Sequence, residues 1–218
     1  MDLGCGPGFL AIAFAPHVAE AVGIDPEPEM LEEARAEAAA AGVALTLVQA
    51  SSRELGPQLG RFRIVTMGRS FHWMDRDATL RALDGLIEPG GSVVLMHAGD
   101  GGSAWQEAYH AVARDWVSPQ AWAESEERRS PEWERHDVVL ARSAFAHVER
   151  LKEQVTRTST IDELIGRASS MSLTAPEALG ERRAGFEAAL RDRLQGLTPS
   201  GYLAETVTAE AMIATRIA

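Results

Sequence analysis

Hydrophobic and polar positions change period along the chain. Val22-Gly23-Ile24 is a short apolar run that ends at Asp25, and Pro26 and Pro28 follow with Glu27, Glu29, Glu32 and Glu33 close behind. That order predicts a strand and then a helix start. Proline is tolerated where N–H groups have no intrahelical partner, and acidic side chains suit the positive helix end. The alanine-rich stretch from Ala34 to Ala41 continues the helix, and Gly42 is its stop. Val43–Val48 is short and β-branched and predicts a strand, as does Phe62–Met67. Leu80, Leu83 and Leu86–Ile87 fall at helical spacing over Asp77–Ile87. Glu88-Pro89-Gly90-Gly91 predicts a turn, and Ser92–Met96 predicts a further buried strand. Strands alternating with helices imply βαβ units and a parallel sheet covered on both faces. Such sheets bind ligands at the carboxyl ends of their strands.

The second half has a different texture. Residues 100–142 hold Trp105, Trp116, Trp122 and Trp133, four of the five tryptophans, and a charged run from Glu124 to Arg129. They predict helix and loop. Residues 145–158 predict a strand, 161–170 and 176–195 predict helices, and Ala211–Ile217 predicts a last strand.

The chain opens Met1-Asp2-Leu3-Gly4-Cys5-Gly6-Pro7-Gly8-Phe9-Leu10. Glycines at 4, 6 and 8 allow backbone angles that other residues resist. A helix from Phe9 to about Ala15 follows, ended by Pro16, so the loop reads as a cradle for a polar ligand before a helix N-terminus. The dinucleotide fingerprint requires its third glycine at the sixth position, where this chain has Phe9. Asp25, at the end of the second strand, can accept hydrogen bonds from ribose hydroxyls or cap the following helix. Met30, one turn into that helix, suits either an adenine contact or helix packing. After the fourth strand comes Met67-Gly68-Arg69-Ser70-Phe71-His72-Trp73-Met74-Asp75.

The string Asp2-Leu3-Gly4-Cys5-Gly6-Pro7-Gly8 resembles the first motif of class I S-adenosylmethionine-dependent methyltransferases. The Ser70–Asp75 segment, with its His-Trp pair, is similar to the fourth motif of the type 11, trans-aconitate methyltransferase-like small-molecule group. The Glu88–Gly91 segment matches as well, so the resemblance covers residues 2–97. It implies a Rossmann-like α/β fold with a mainly parallel, seven-strand-type sheet. It also implies one methyltransferase domain over 1–218: a cofactor half at 1–98, substrate-cap helices at 99–142 and 159–200, and last strands at 143–158 and 208–218. The implied cofactor is S-adenosylmethionine, with S-adenosylhomocysteine as product, and the implied partner is a small-molecule acceptor methylated by direct displacement at the sulfonium methyl. Cofactor contacts fall on Asp2, Gly4, Cys5, Gly6 and Gly8, on Asp25, Pro26 and Met30, on Ser51 and Ser52, and on Met67, Ser70, His72 and Trp73. His72 is either a general base, since its ordinary pKa lies near neutrality, or a structural histidine. Trp73 is expected to line the site, where an aromatic face suits a sulfonium cation. Cys5 is expected to pack tightly within the loop.

The chain departs from the family pattern twice. Ser51 stands where an acidic residue usually binds the adenine amino group, which shifts that contact to a hydroxyl or to the backbone of Ala50–Ser52. In the resembling family a helix and several strand residues precede the glycine loop; here Met1 abuts Asp2, so either the start given is misassigned or trimmed or the lid is absent, and in this form cofactor retention is expected to be weakened. Both departures keep open a protein of this fold that binds or regulates without catalysis. A nicotinamide-dependent oxidoreductase is the other reading, and Phe9 argues against it.

Composition narrows the picture further. A net charge of −11 disfavours general binding to phosphate backbones; Arg61, Arg63 and Arg69 read better as a solvated loop face. One cysteine excludes an intramolecular disulfide. With no long apolar run and no signal-like start, the chain is expected to be soluble and cytoplasmic, with no membrane partner. Neither metal-ligand spacing nor a Walker loop is present, so no metal is expected.

Overall fold

The computed structural model describes residues 1–99, 103–129 and 133–216, with side chains of 128 and 129 excepted. Ile217 and residues 100–102 and 130–132 of the tryptophan-rich segment lie outside the described residues. In chain order the elements are β1 (Asp2–Leu3), α1 (Phe9–Phe14), β2 (Val22–Asp25), α2 (Pro28–Ala40), β3 (Thr46–Gln49), β4 (Phe62–Gly68), α3 (Arg76–Leu86), β5 (Ile87–Gly99), α4 (Ala104–Trp116), α5 (Pro119–Arg129), α6 (His136–Ala141), β6 (His147–Thr160), α7 (Ile161–Ser169), α8 (Pro176–Leu179), α9 (Arg183–Leu197) and β7 (Tyr202–Thr215). The strands form one seven-stranded sheet in the order β3-β2-β1-β4-β5-β7-β6. β1 runs parallel to β2 and β4, β2 to β3, and β4 to β5. Strand order reverses at β1, between β2 and β4. Open α/β sheets place ligand crevices at such a switch point, outside the carboxyl ends of the strands.

Two compact units divide the chain: 1–97 with 135–152 and 210–218, and 98–134 with 153–209. Each has its own core. In the first, Leu3, Ile24, Val65, Met67, Leu83, Val93 and Phe145 pack together. In the second, Trp105, Tyr109, Leu164, Phe186, Leu190 and Leu194 do so.

Three local features depart from the sequence expectation. β3 begins at Thr46, not Val43, because Val43 belongs to the end of α2. Its N–H donates to Ala38 O (2.9 Å) and that of Gly42 to Ala39 O (3.1 Å), with Gly42 at φ 67°. This is a Schellman cap, which spends the donors a strand would need. Second, Glu88–Gly91 is a bulge inside β5. Phe62 pairs with Ile87 but Ile64 with Ser92, so Arg63 faces four residues. A Cβ at Gly91 would lie 2.6 Å from Arg63 O. Arg61 donates to Ile87 O and Arg63 to Pro89 O, holding the bulge; these two arginines are tied down, not merely solvated. Third, β7 starts at Tyr202 and is far longer than the expected Ala211–Ile217. α1 ends at Phe14, and Pro16 sits in the 3-10 turn that follows. Among the described residues, no helix is long and apolar enough to cross a membrane.

Candidate functional site

The glycine loop leaves β1 and turns back on the sheet. Gly4 and Cys5 both donate to Ile24 O (2.8 and 2.9 Å), and Gly8 N–H to Cys5 O (2.9 Å). Gly4, Gly6 and Gly8 all have positive φ, at 69°, 51° and 81°. Their surroundings differ. A Cβ on Gly4 would come 2.5 Å from Ser70 Cβ, and one on Gly8 would come 3.1 Å from Ala34 Cβ, whereas one on Gly6 would meet nothing within 4 Å. The main chain at Gly6 therefore borders open space. α1 spans under two turns, so hydrogen-bonding groups of the loop, not a helix dipole, define the cradle.

Asp25 ends β2 beside this loop and is 7% exposed. One carboxylate oxygen accepts from Gly6 N–H at 2.8 Å, the other from Glu27 N–H at 3.0 Å. Each oxygen keeps a second lone pair for a further donor. Pro26 is exposed and Met30 half-buried at the start of α2. Asp2 is buried and accepts from Thr66 Oγ1 at 2.8 Å. Burial pushes its pKa from 3.8 to about 6, against the Thr66 bond. The Cys5 thiol lies against Gly23 on β2; burial, then the charges of Asp2 and Asp25, push it up to about 12. It is a packed thiol with no thiolate character at neutral pH.

Beyond β3, Ser51 caps the 3-10 turn Ser52–Glu54. Its N–H and hydroxyl both donate to one Glu54 oxygen, at 2.8 and 2.9 Å, while the hydroxyl accepts from Arg53 N–H. The acidic group missing at position 51 thus stands beside it, on Glu54. Sequence reading passed over Glu54, although Ser51-x-x-Glu54 is a capping-box spacing.

Beyond β4, Arg69 is, among the described residues, the non-glycine residue with positive φ, 56°, and its N–H donates to Met96 O. This conformation turns the chain so that Ser70 packs on Gly4 and donates to Leu3 O at 2.7 Å. Such a backbone state is uncommon and costly outside glycine. His72 is half-buried, and its ring lies 4.8 Å from that of Trp73, which is 56% exposed. Met67 is only 1% exposed and belongs to the core, so, against the sequence expectation, its side chain is not open to a ligand. The structure thus groups Gly4, Cys5, Gly6, Gly8, Asp25 and Ser70, with Asp2 on the strand leading into the loop and bonded to Thr66; Ser51, Ser52, His72 and Trp73 follow the neighbouring strand ends β3 and β4. Among the described residues, no cluster of His, Cys, Asp or Glu could hold a metal ion.

Comparison with known proteins agrees with this geometry. Residues 1–91 match the family model for a methyltransferase domain. The ubiquinone biosynthesis O-methyltransferase of Escherichia fergusonii is 32% identical over 107 residues, 48% of this chain and 45% of that protein. A solved structure from Anaeromyxobacter dehalogenans, described as a type II methyltransferase, matches 99% of this chain and 88% of its own with a TM-score of 0.60 at 18% identity. A Haemonchus contortus phosphoethanolamine N-methyltransferase, solved with S-adenosylhomocysteine, matches 100% of this chain and 48% of its own with a TM-score of 0.54 at 16% identity. The likeness to a methyltransferase domain is thus carried by residues 1–91. The two structural likenesses speak for the fold alone. The chain spans a little under half the length of the curated methyltransferase it matches.

The methyltransferase likeness over residues 1–91 implies S-adenosylmethionine as cofactor, and the residues present are compatible with an adenosyl group. A loop whose middle glycine opens on empty space stands beside a carboxylate with lone pairs to spare. An adenosyl group carries hydroxyls that need such an acceptor.

Proposed function

We propose that this chain transfers a methyl group from S-adenosylmethionine to a small-molecule acceptor. The observation that carries this reading is the bond from Gly6 N–H to the Asp25 carboxylate, beneath main chain that a Cβ would leave uncrowded. When bound, the cofactor supplies a methyl group already activated by a sulfonium sulfur, so the protein has no covalent chemistry to perform. Its residues bind and align. Asp25 accepts from the ribose, and the Gly4–Gly8 main chain runs beneath the methionine part. The Ser51–Glu54 cap and Met30 flank the base, and Trp73 lines the methyl side. Alignment of this kind supplies much of the rate in bimolecular transfers. The acceptor atom is a metabolite's hydroxyl, carboxylate, amine or carbon, and His72 is the candidate to take its proton. The proposal includes the expectation that helices in 99–142 and 159–200 select the acceptor.

Calorimetry with S-adenosylhomocysteine tests the cofactor part. Binding at one site per chain, abolished by Asp25→Ala, is the expected result. Binding of NADH instead, or an affinity unchanged by the substitution, overturns it. Release of labelled methyl groups to a metabolite panel separates turnover from binding without catalysis.

A further inference from the structure

A second polar cluster stands at the same end of the sheet and plays no part in the cofactor site. His136 opens α6, Arg76 opens α3 and His97 lies near the end of β5. The Phe71 ring, in the turn after β4, lies 5.2 Å from the His136 ring. His97 directly follows Met96, which pairs with Gly68 at the carboxyl end of β4. The cluster thus borders the strand ends toward which the glycine loop opens. His136 and Arg76 are half-buried, and His97 is exposed.

Arg76 Nη1 lies 3.4 Å from His136 Nδ1. A guanidinium has donors and no acceptor, so Nδ1 must be the bare nitrogen. The proton of the neutral ring then sits on Nε2. Burial, then Arg76 and His97 beside it, hold the His136 pKa below the usual imidazole value, and Asp137 opposes them. Asp137 is itself engaged by Arg135 and Arg150, at 2.8 and 2.7 Å. His136 is therefore a poor proton acceptor and a fixed hydrogen-bond donor. In a chain of net charge −11, two imidazoles and a guanidinium converge here on one small volume.

We propose that His136, set by Arg76 and flanked by His97, is a positioning residue that donates through Nε2–H to an anionic oxygen of the methyl acceptor. This deepens the methyltransferase reading and rests on it. The acceptor it fits carries a carboxylate or phenolate-type oxygen, held by a donor whose partner arginine prevents it from accepting a proton. Charge-assisted bonds of this kind are stronger than neutral ones.

The test uses the full chain with S-adenosylhomocysteine and long-range 1H–15N spectra of the histidines. His136 is expected as the neutral Nε2–H tautomer near neutral pH, and Arg76→Ala is expected to let it protonate at a higher pH, since Arg76 holds its pKa down. An Nδ1–H tautomer or an imidazolium at that pH overturns the proposal. Benzoate and 4-nitrophenolate, one arm for each kind of anion, are then titrated against benzamide and 4-nitroanisole. An anion is expected to shift the Nε2–H signal and the neutral probes are not; equal shifts, or none from either anion, overturn it. His136→Ala should weaken the anion by about tenfold, while His136→Gln, which keeps an N–H donor near the Nε2 position, should stay close to wild type. If Gln and Ala lose binding equally, the donor role fails. S-adenosylhomocysteine affinity should be the same in both variants. Absence of cofactor binding in the wild type would defeat the methyltransferase reading while leaving the tautomer result to stand or fall by itself.

Discussion

Gly6 and Asp25 are joined by a 2.8 Å hydrogen bond from the loop's main-chain N–H to the carboxylate at the end of the neighbouring strand. This bond ties the glycine loop to the end of β2, and with it the two halves of the proposed cofactor cradle. Asp25→Ala deprives both Gly6 and Glu27 of their acceptor. It should lower stability by about 1–3 kcal/mol, the cost of leaving buried donors unmade. Asp25→Asn keeps one acceptor oxygen but sets an NH2 against the other N–H, so it should recover only part of that loss. It should still bind S-adenosylhomocysteine at least about tenfold more weakly, because a charge-assisted bond becomes a neutral one. Thermal melts and calorimetry on the two variants separate the structural part from the binding part.

The three loop glycines are expected to respond differently to alanine. At Gly4, strain from φ 69° adds to a 2.5 Å clash with Ser70 Cβ. Gly4→Ala should cost about 2–4 kcal/mol, and pairing it with Ser70→Gly should recover the steric part. At Gly6 a methyl group meets nothing, so only the left-handed backbone is penalised, by about 1 kcal/mol. Gly6→Ala should therefore melt close to wild type and yet lose cofactor affinity, because the methyl group occupies space the ligand needs. Equal losses of affinity and of stability at Gly6 would argue that the open space is not a ligand site.

Most of the first unit was legible because its signals are local. Val22–Asp25, α2 with its prolines and Gly42, and α3 with leucines at helical spacing all carry their own start or stop chemistry. What escaped depends on pairing across the chain. Val43 is β-branched, but its N–H goes to Ala38 O in the helix cap. Glu88–Gly91 has turn composition, yet Arg61 and Arg63 fasten it into β5 as a bulge. β7 is long because it runs beside strands far away in sequence, and Ala, Glu and Thr at its start announce nothing. At the site, Gly4 and Gly6 could be named from the glycine spacing, Asp25 from its place at a strand end, and Ser70 from the family resemblance. Glu54, Arg69 and His136 could not, since their roles come from a capping geometry, a left-handed φ and a guanidinium sixty residues away in sequence.

Asp2 makes the stability of the first unit depend on pH. Its carboxyl is 3% exposed, and burial raises its pKa from 3.8 to about 6. Between these values the folded chain holds a proton that the unfolded chain has released. Stability contributed by the protonated group is therefore complete below pH 3.8 and is lost as pH rises through 6. The shift corresponds to roughly 3 kcal/mol. Asp2→Asn mimics the protonated form. Above pH 7 it should be more stable than wild type, and the slope between pH 4 and 6 should flatten. Denaturant melts across that range check this, and an unchanged slope would show that Asp2 titrates normally.

Glu205 gives the second unit the opposite dependence. One of its oxygens accepts from Arg157 (2.8 Å), Arg167 (2.7 Å) and Ser159 (3.2 Å), while the other is buried without a hydrogen-bond partner. Arg167 also stacks over Trp105 at 4.9 Å. Burial alone would raise the Glu205 pKa, but the bonds from Arg167 and Arg157 outweigh it, and the net shift is downward. Its stabilising effect is present above the ordinary carboxylate pKa and is lost as pH falls through the lowered one. Glu205→Ala leaves two guanidinium groups facing each other. It should cost about 3 kcal/mol, at the low end for a buried pair because the Arg157 side chain is 42% exposed. Replacing Arg157, Glu205 and Arg167 together by Met, Leu and Met should restore much of that loss, since apolar packing avoids desolvating three charges and an orphaned oxygen. The restoration should be incomplete by the Arg167–Trp105 stack, about 1 kcal/mol. Chemical denaturation of the single and triple variants measures both. A triple variant less stable than Glu205→Ala would mean that the ion network itself, not its completeness, holds β6, β7 and α7 together in this unit.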